Sequence, residues 1–421
     1  MGITTASAPA AKTAKSSAES LACHRSGRCV GRVSLASLQS RLGHELKIDG
    51  GASGAYVYDL SSGQVMFSAS PTTRRPPASV EKLYTATTAL ELMGPGARLE
   101  TTVLGIGHLA ASGVWEGNLY LHGGGDPTFG SSAFIASHYG GVGTSVSTLA
   151  AQLVKDGIRR ISGKILGDES YFDSLRGEPS SDYRFDPYLE GQLSALAFNR
   201  GEKGSEHGRH APAAYAAHEL WLALRALHVS APSGSTAGST PAGAVTLAHV
   251  SSPSIDELLG LTLPPSDNFF AETLLKDLGA RYGGAGTTAA GAAVVSKTIA
   301  SDFALHPTVV DGSGLSEEDH TSPYEVVDLL SELSKSTQGA VLRGDMAVAG
   351  RSGTLSERMR HTRAAGRCEG KTGTLTGVSN LVGYCTDANG SELAFALFDD
   401  GIATEAAHLI QDNIVITLAD Y

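Results

Sequence analysis

A strand pair near the C-terminus constrains this chain more than any other stretch. Residues 366–374 and 379–386, within RCEGKTGTLTGVSNLVGYC, read as two antiparallel strands about a turn. In that register Cys368 and Cys385 face each other, a candidate disulfide. Lys371-Thr372-Gly373 lies between them, where a cation, a hydroxyl and a residue without a side chain let a ligand carboxylate lie against backbone. Such a strand needs a sheet to join and a nucleophile to face.

The rest of the chain offers both. Ser34 is placed to cap a helix carrying Leu35, Leu38, Leu42 and Leu46, one apolar stripe. AYVYDL (55–60) and QVMFSA (64–69), joined by a Ser-Ser-Gly turn, predict a hairpin. A helix then begins at about Ser79 and stops at Gly94-Pro95. From 96 to 255 the texture changes to short strands with Gly/Pro-rich connections, and APSGSTAGSTPAG (231–243) has the composition of a linker or exposed loop. Helical patterns resume at Pro265, and strands return at the end with ELAFALF (392–398) before a last helix. Strands at both ends with helices between them predict one sheet closed by the two termini and interrupted by an insert.

Length and charge set limits. A chain of 421 residues exceeds one ordinary core. We therefore expect residues 1–30 as a disordered or processed tract, 31–95 and 256–421 as one domain, and 96–255 as an inserted, smaller mixed domain. No apolar run approaches the ~18 residues that span a bilayer, so no transmembrane segment is expected. No hydrophobic signal-peptide core is visible at the N-terminus. Lys and Arg total 32 against 43 Asp and Glu, a net charge of −11 without a basic stripe, which argues against nucleic acid. The four cysteines form two local pairs, Cys23/Cys29 and Cys368/Cys385, a pattern that suits an oxidising compartment. The fourteen histidines include no zinc pattern, and neither metal nor cofactor is expected.

Three short motifs carry chemistry. Ser79-Val80-Glu81-Lys82 sets a hydroxyl and an amine at i and i+3, so the amine can take the hydroxyl proton if burial lowers its pKa. Of the eleven lysines only Lys82 has a serine at that spacing. Ser266-Asp267-Asn268 offers a hydroxyl and an amide at a loop–helix junction, although the same residues are ordinary helix caps. Lys371-Thr372-Gly373 is the third. Each alone has a bland reading as solvated surface, but S-x-x-K, S-D-N and K-T-G occur once each in the order shared by class A β-lactamases and penicillin-binding proteins.

With these motifs the chain resembles the D-alanyl-D-alanine carboxypeptidase/endopeptidase family, the class C low-molecular-mass penicillin-binding proteins (peptidase family S13). PPASVEKLYTA (76–86), GGGDPTF (123–129), GDESYFD (167–173), PSDNFFAE (265–272), DGSGLS (311–316), GTLSERM (353–359) and GKTGTLTGVSNLVGY (370–384) extend the resemblance from about 50 to 400. It implies an α+β fold of the serine β-lactamase/DD-peptidase type, an antiparallel sheet with helices. It also implies a carboxypeptidase/endopeptidase acting on peptidoglycan stem peptides through a serine acyl-enzyme, outside the cytoplasm, with β-lactams as covalent inhibitors.

The implied roles follow residue by residue. Ser79 is the nucleophile and Lys82 its base. Ser266 relays a proton to the leaving group, and Asn268 touches the substrate amide. Lys371 lowers the pKa of Lys82 and, with Thr372, binds the terminal carboxylate on the strand of Gly373. The N–H groups of Ser79 and Thr374 form the oxyanion hole. Asp168 is expected to bind the amine of a diaminopimelate side chain. Two departures stand out: the interval from Ser79 to Ser266 is short for the family, so a third domain is expected to be reduced or absent, and Glu317 stands where the family often has an arginine.

Rival readings are weaker. LHGGG (121–125) resembles a lipase oxyanion loop, but no G-x-S-x-G elbow exists. The run from Ala365 to Thr372 misses a phosphate-binding loop by one glycine and lies on a strand. Arg351-Ser352-Gly353-Thr354-Leu355 imitates the Lys371 segment and reads as a turn-forming loop. A β-lactamase or esterase on the same core, and a non-catalytic peptidoglycan-binding protein, remain as alternatives.

Overall fold

In the computed structural model the described residues are 21–23, 29–31, 33–48, 52–201, 211–232 and 234–421. Of the tract at 1–30, only the backbones of two paired strands, Leu21–Cys23 and Cys29–Gly31, fall among them, so any Cys23/Cys29 sulfur pairing lies outside the described residues.

The main sheet has six antiparallel strands in the order Ala347–Val348, Cys368–Leu375, Val378–Thr386, Glu392–Asp400, Gly54–Asp59, Gln64–Ala69. N-terminal and C-terminal strands thus lie side by side, as expected from the pattern at the two ends. The two central strands, Val378–Thr386 and Glu392–Asp400, are buried almost throughout, because helices cover both faces. Alternation at period two divides their side chains. Leu381, Cys385, Phe395 and Leu397 pack with Leu38, Leu42, Ile410 and Ile414 from helices Leu35–Ile48 and Thr404–Asp420. Val382, Tyr384, Ala396 and Phe398 face the larger layer of helices Lys82–Leu92, Asn268–Tyr282, Thr288–Phe303 and Pro323–Leu333.

Cys368 and Cys385 are ladder partners and are joined by a disulfide, with Cα atoms 4.0 Å apart. The bond ties the Lys371 strand to its central neighbour on the layer opposite the catalytic helices.

Residues 100–251 build a second sheet from Val245–Ser251, Glu100–Leu109, Val114–His122, Ile165–Asp168 and Thr236–Ala237. Helices Val146–Lys155 and Pro212–Ala226 close its own core around Val103, Leu119, Leu149 and Leu220. Ile135, Tyr139, Leu189, Leu193 and Ala197 from the same segment enter the large helical core of the first sheet instead. The two parts therefore share packed side chains around the catalytic helices.

The linker expected at 231–243 is corrected in part. Thr236–Ala237 pairs as an edge strand, and the Thr240 N–H donates to Asp168 Oδ2 at 2.7 Å. Composition made this stretch look free because its anchoring uses backbone groups, which composition does not report.

Candidate active site

The nucleophile segment begins with Pro76-Pro77, which enter a 3-10 turn over Ala78–Glu81 that continues into helix Lys82–Leu92. Side chains three apart eclipse in a 3-10 turn, and the Lys82 Nζ to Ser79 Oγ distance is 2.9 Å. The turn is seated from the sheet: Asn380 Nδ2 donates to the carbonyls of Pro76 (3.0 Å) and Pro77 (2.8 Å).

Gly373 explains how strand and turn come so close, which adds a packing reason for a glycine to the one expected from sequence. A Cβ on Gly373 would stand 2.4 Å from the Pro77 carbonyl oxygen and 3.2 Å from the Ser79 nitrogen. The missing side chain admits the nucleophile turn itself.

Ser266 has φ +65 at the end of helix Ile255–Thr262 and its following turn. Asp267 caps the next helix by accepting from the Phe270 N–H at 3.0 Å. It also pairs with Arg200, whose guanidinium lies over the rings of Tyr139, Phe269 and Phe270. This anchors the serine and amide of the motif to the 96–255 segment. Asn268 Nδ2 donates to the Tyr188 carbonyl at 2.7 Å, which fixes the amide so that Oδ1 points to Lys82 Nζ at 2.6 Å.

Lys82 therefore sits among three oxygens: Ser79 Oγ, Asn268 Oδ1, and the Ser313 carbonyl at 2.6 Å. Burial lowers its pKa to about 8, against the opposing pull of Asp311, Glu272, Asp267 and Glu81. Lys371 Nζ, also buried, lies 2.7 Å from Ser266 Oγ and donates to the Thr372 carbonyl at 2.8 Å. Its pKa is lowered well below the usual lysine value, first by burial and then by the charge of Lys82. This revises the expected electrostatics: burial, rather than Lys371, is the main cause of the Lys82 shift, and Lys371 is itself a depressed amine.

Thr372 Oγ1 reaches Thr354 Oγ1 at 2.8 Å, and the Thr354 N–H donates to the Pro264 carbonyl at 3.0 Å. The Arg351–Leu355 loop thus joins the Ser266 segment to the Lys371 strand, with Gly353 at φ +55 where a Cβ would meet the Pro264 oxygen at 2.3 Å. Thr374 opposes Ser379 in the ladder with its side chain exposed. Ser79, Lys82, Ser266, Asn268, Lys371, Thr372 and Gly373 form one connected set.

Asp168 is not part of that set. It ends the Ile165–Asp168 strand beside a cavity of about 350 Å³ lined by Glu169, Ser170, Phe172, Asp173 and Gly238. Its carboxylate meets His122 Nδ1 (3.1 Å), the Thr240 N–H (2.7 Å) and the Ser170 N–H (3.0 Å). Burial alone would raise its pKa, but these bonds hold it well below the usual carboxylate range. The cavity reaches toward helix Asn268–Tyr282 through Asp173, which pairs with Lys276 at 2.7 Å. Glu317 is exposed on the loop after Ser313.

The residue-level reading overlooked Arg200, Thr354, Glu272, Asp311 and the Ser313 carbonyl. Glu272, Asp311 and Thr354 lie inside segments that carried the resemblance. Glu272 and Thr354 find their partners on remote segments, which no spacing rule reveals, whereas Asp311 accepts from N–H groups two, three and five residues further along its own loop.

Fold and site together define a serine hydrolase of the DD-peptidase and serine β-lactamase class. Residues 35–201 and 188–421 match the family described as D-Ala-D-Ala carboxypeptidase 3 (S13), and the chain belongs to that family. It is 28% identical over 456 residues to the D-alanyl-D-alanine carboxypeptidase of Actinomadura sp. (strain R39), covering 89% of this chain and 82% of that protein. It is likewise 28% identical to carboxypeptidase DacB of Mycolicibacterium smegmatis, covering 82% and 75% of the two chains. Its fold superposes on penicillin binding protein 4 (dacB) of Haemophilus influenzae with a TM-score of 0.75 at 21% identity, covering 92% of this chain and all of that one.

Proposed function

We propose that this protein is a serine D-Ala-D-Ala carboxypeptidase/DD-endopeptidase acting on peptidoglycan stem peptides, and that β-lactams acylate Ser79. The placement of Lys82 carries this reading. A neutral Lys82 keeps two N–H bonds, and Asn268 Oδ1 and the Ser313 carbonyl can only accept. Both hydrogens are thereby committed, so the remaining lone pair faces Ser79 Oγ.

The reaction then runs in two steps. Ser79 Oγ attacks the carbonyl carbon before the terminal D-alanine as its proton passes to Lys82, and the Ser79 and Thr374 N–H groups receive the oxyanion. The C–N bond breaks as the proton taken up by Lys82, relayed through Ser266 beside Lys371, reaches the leaving amine and leaves Lys82 neutral again. Water attacks the resulting ester as Lys82 takes its proton, and Lys82 returns that proton to Ser79 Oγ as the C–O bond breaks. Lys371 and Thr372 receive the terminal carboxylate, with the Lys371 ammonium favoured once that anion arrives. Asp168 takes the amine of a side chain at the third residue of the stem.

In this proposal 31–95 and 256–421 are the peptidase domain and 96–255 is the insert, with a third domain reduced or absent. An extracytoplasmic location is supported by the cell-wall substrate and by the Cys368–Cys385 bond. Among the described residues no helix is long and apolar enough to cross a membrane.

Incubation with a fluorescent penicillin tests the function. A stable adduct on Ser79, lost in Ser79→Ala, is the expected result. Rapid turnover of the drug would favour a β-lactamase, and no labelling would favour a non-catalytic binding protein.

A further inference from the structure

Behind Lys82, four carboxyl side chains from three segments meet in the interior: Glu81, Glu272, Asp311 and Asp319. Hydrogen-bond donors are shared among them unevenly. Asp311 accepts from the N–H groups of Ser313 (3.0 Å), Gly314 (2.6 Å) and Ser316 (2.8 Å). Glu272 Oε1 accepts from Gly312 and Ser313, each at 2.8 Å, and Asp319 accepts from Val310 at 2.6 Å. Both oxygens of Glu81, and Glu272 Oε2, have no hydrogen-bond partner among the described residues.

A buried carboxylate needs donors, whereas a carboxylic acid brings its own. Asp311 has three such donors and Glu81 has none. Burial, then the charges of Asp311 and Glu272, push Glu81 upward. Burial and Asp311 push Glu272 and Asp319 the same way.

The loop these acids hold bears directly on Lys82. Gly314 packs so closely on the nucleophile turn that a Cβ there would stand 1.9 Å from the Ala78 oxygen. The Ser313 carbonyl of that loop is one of the two acceptors that orient the Lys82 amine.

Resting on the serine-peptidase reading, we propose that Glu272 is a positioning residue for the reaction. By bridging the N–H groups of Gly312 and Ser313 it holds the Ser313 carbonyl against Lys82 Nζ and so aims the Lys82 lone pair at Ser79 Oγ. The charged or titratable groups around Lys82 are Glu81 on its own turn, Asp267 and Glu272 on the next helical segment, Asp311 on the loop, and Lys371 on the strand. Asp267 is engaged by Arg200, and Asp311 is saturated by backbone. Glu272 is the member whose replacement changes both the carbonyl position and the charge facing the amine.

The test measures the acylation rate constant for a fluorescent penicillin from pH 5 to 9 in the full chain, Glu272→Ala and Glu272→Gln, with thermal unfolding alongside. Glu272→Ala is expected to lower the high-pH plateau on the order of 10–100-fold, the effect of a misplaced reacting group. Glu272→Gln keeps the Oε1 acceptor, so it recovers most of the plateau. Its rising limb moves to lower pH, because wild-type Glu272, pushed up to about 8, ionises over the same range as Lys82 and favours its ammonium, which glutamine cannot do. An unchanged plateau and limb in Glu272→Ala would overturn the proposal, as would a Gln variant that folds like wild type yet loses the plateau or leaves the limb unmoved. If the Ala variant does not fold, the Gln variant decides alone. Absence of labelling in the wild type is a separate failure, of the peptidase reading itself.

Discussion

The two acid–amine environments of this molecule, around Lys82 and around Asp168, are built on opposite principles. Lys82 and Lys371 are buried amines whose partners are mostly neutral oxygens, so burial works against their charge. Asp168 is a buried carboxylate whose oxygens are covered by donors, so its charge is locked in. The first arrangement can exchange a proton near neutral pH and the second cannot. That difference separates a site for bond making from one for holding a substrate in place or tying loops together.

The largest effect that would break this contrast comes from the nucleophile. Ser79→Ala is expected to cut D-alanine release from a stem peptide by more than about 1,000-fold, the scale for removing one member of a catalytic unit. Near-normal release would move the chemistry elsewhere. Next is Gly373→Ala, whose Cβ would collide with the Pro77 carbonyl. Overpacking of this kind costs about 1–3 kcal/mol, read as a lower urea midpoint, with a fall in the rate of penicillin acylation. Replacing both Cys368 and Cys385 by serine opens a loop with a sequence separation of 17 and is expected to cost about 2–4 kcal/mol in the same measurement.

The smallest effect on chemistry falls on the Asp168 side. Asp168→Ala strands the Thr240 and Ser170 N–H groups, at about 1–3 kcal/mol of stability. Turnover of peptides with an amine on the third residue should fall further than acylation by penicillin. An equal loss for both would tie Asp168 to the chemistry and erase the distinction.

Much of the frame was legible because it depends on local pattern. The hairpin 55–69, the apolar stripe on Leu38 and Leu42, and the facing cysteines follow from period and register alone. The three motifs marked the residues that meet in the cleft, since Ser79 and Lys82 are three apart, Ser266 and Asn268 flank the start of a helix, and Lys371 lies within a strand. What stayed hidden depends on contacts between distant backbones. The role of Gly373 lies in the shape of the Pro77–Ser79 turn, the lone-pair orientation of Lys82 depends on a carbonyl at Ser313, and the anchoring of 231–243 depends on the Thr240 N–H. Backbone groups are the same in every sequence, so no residue pattern announces them.

The central claim is that Lys82 takes the Ser79 proton as a neutral amine. Acylation by a fluorescent penicillin, followed by stopped flow from pH 5 to 9, reads it directly. The base must lose its proton before it can act, so the rate should rise with pH through an apparent pKa of about 8, well below the ~10.4 of free lysine. A rate that stays flat across the whole range would contradict the assignment of Lys82 as the base.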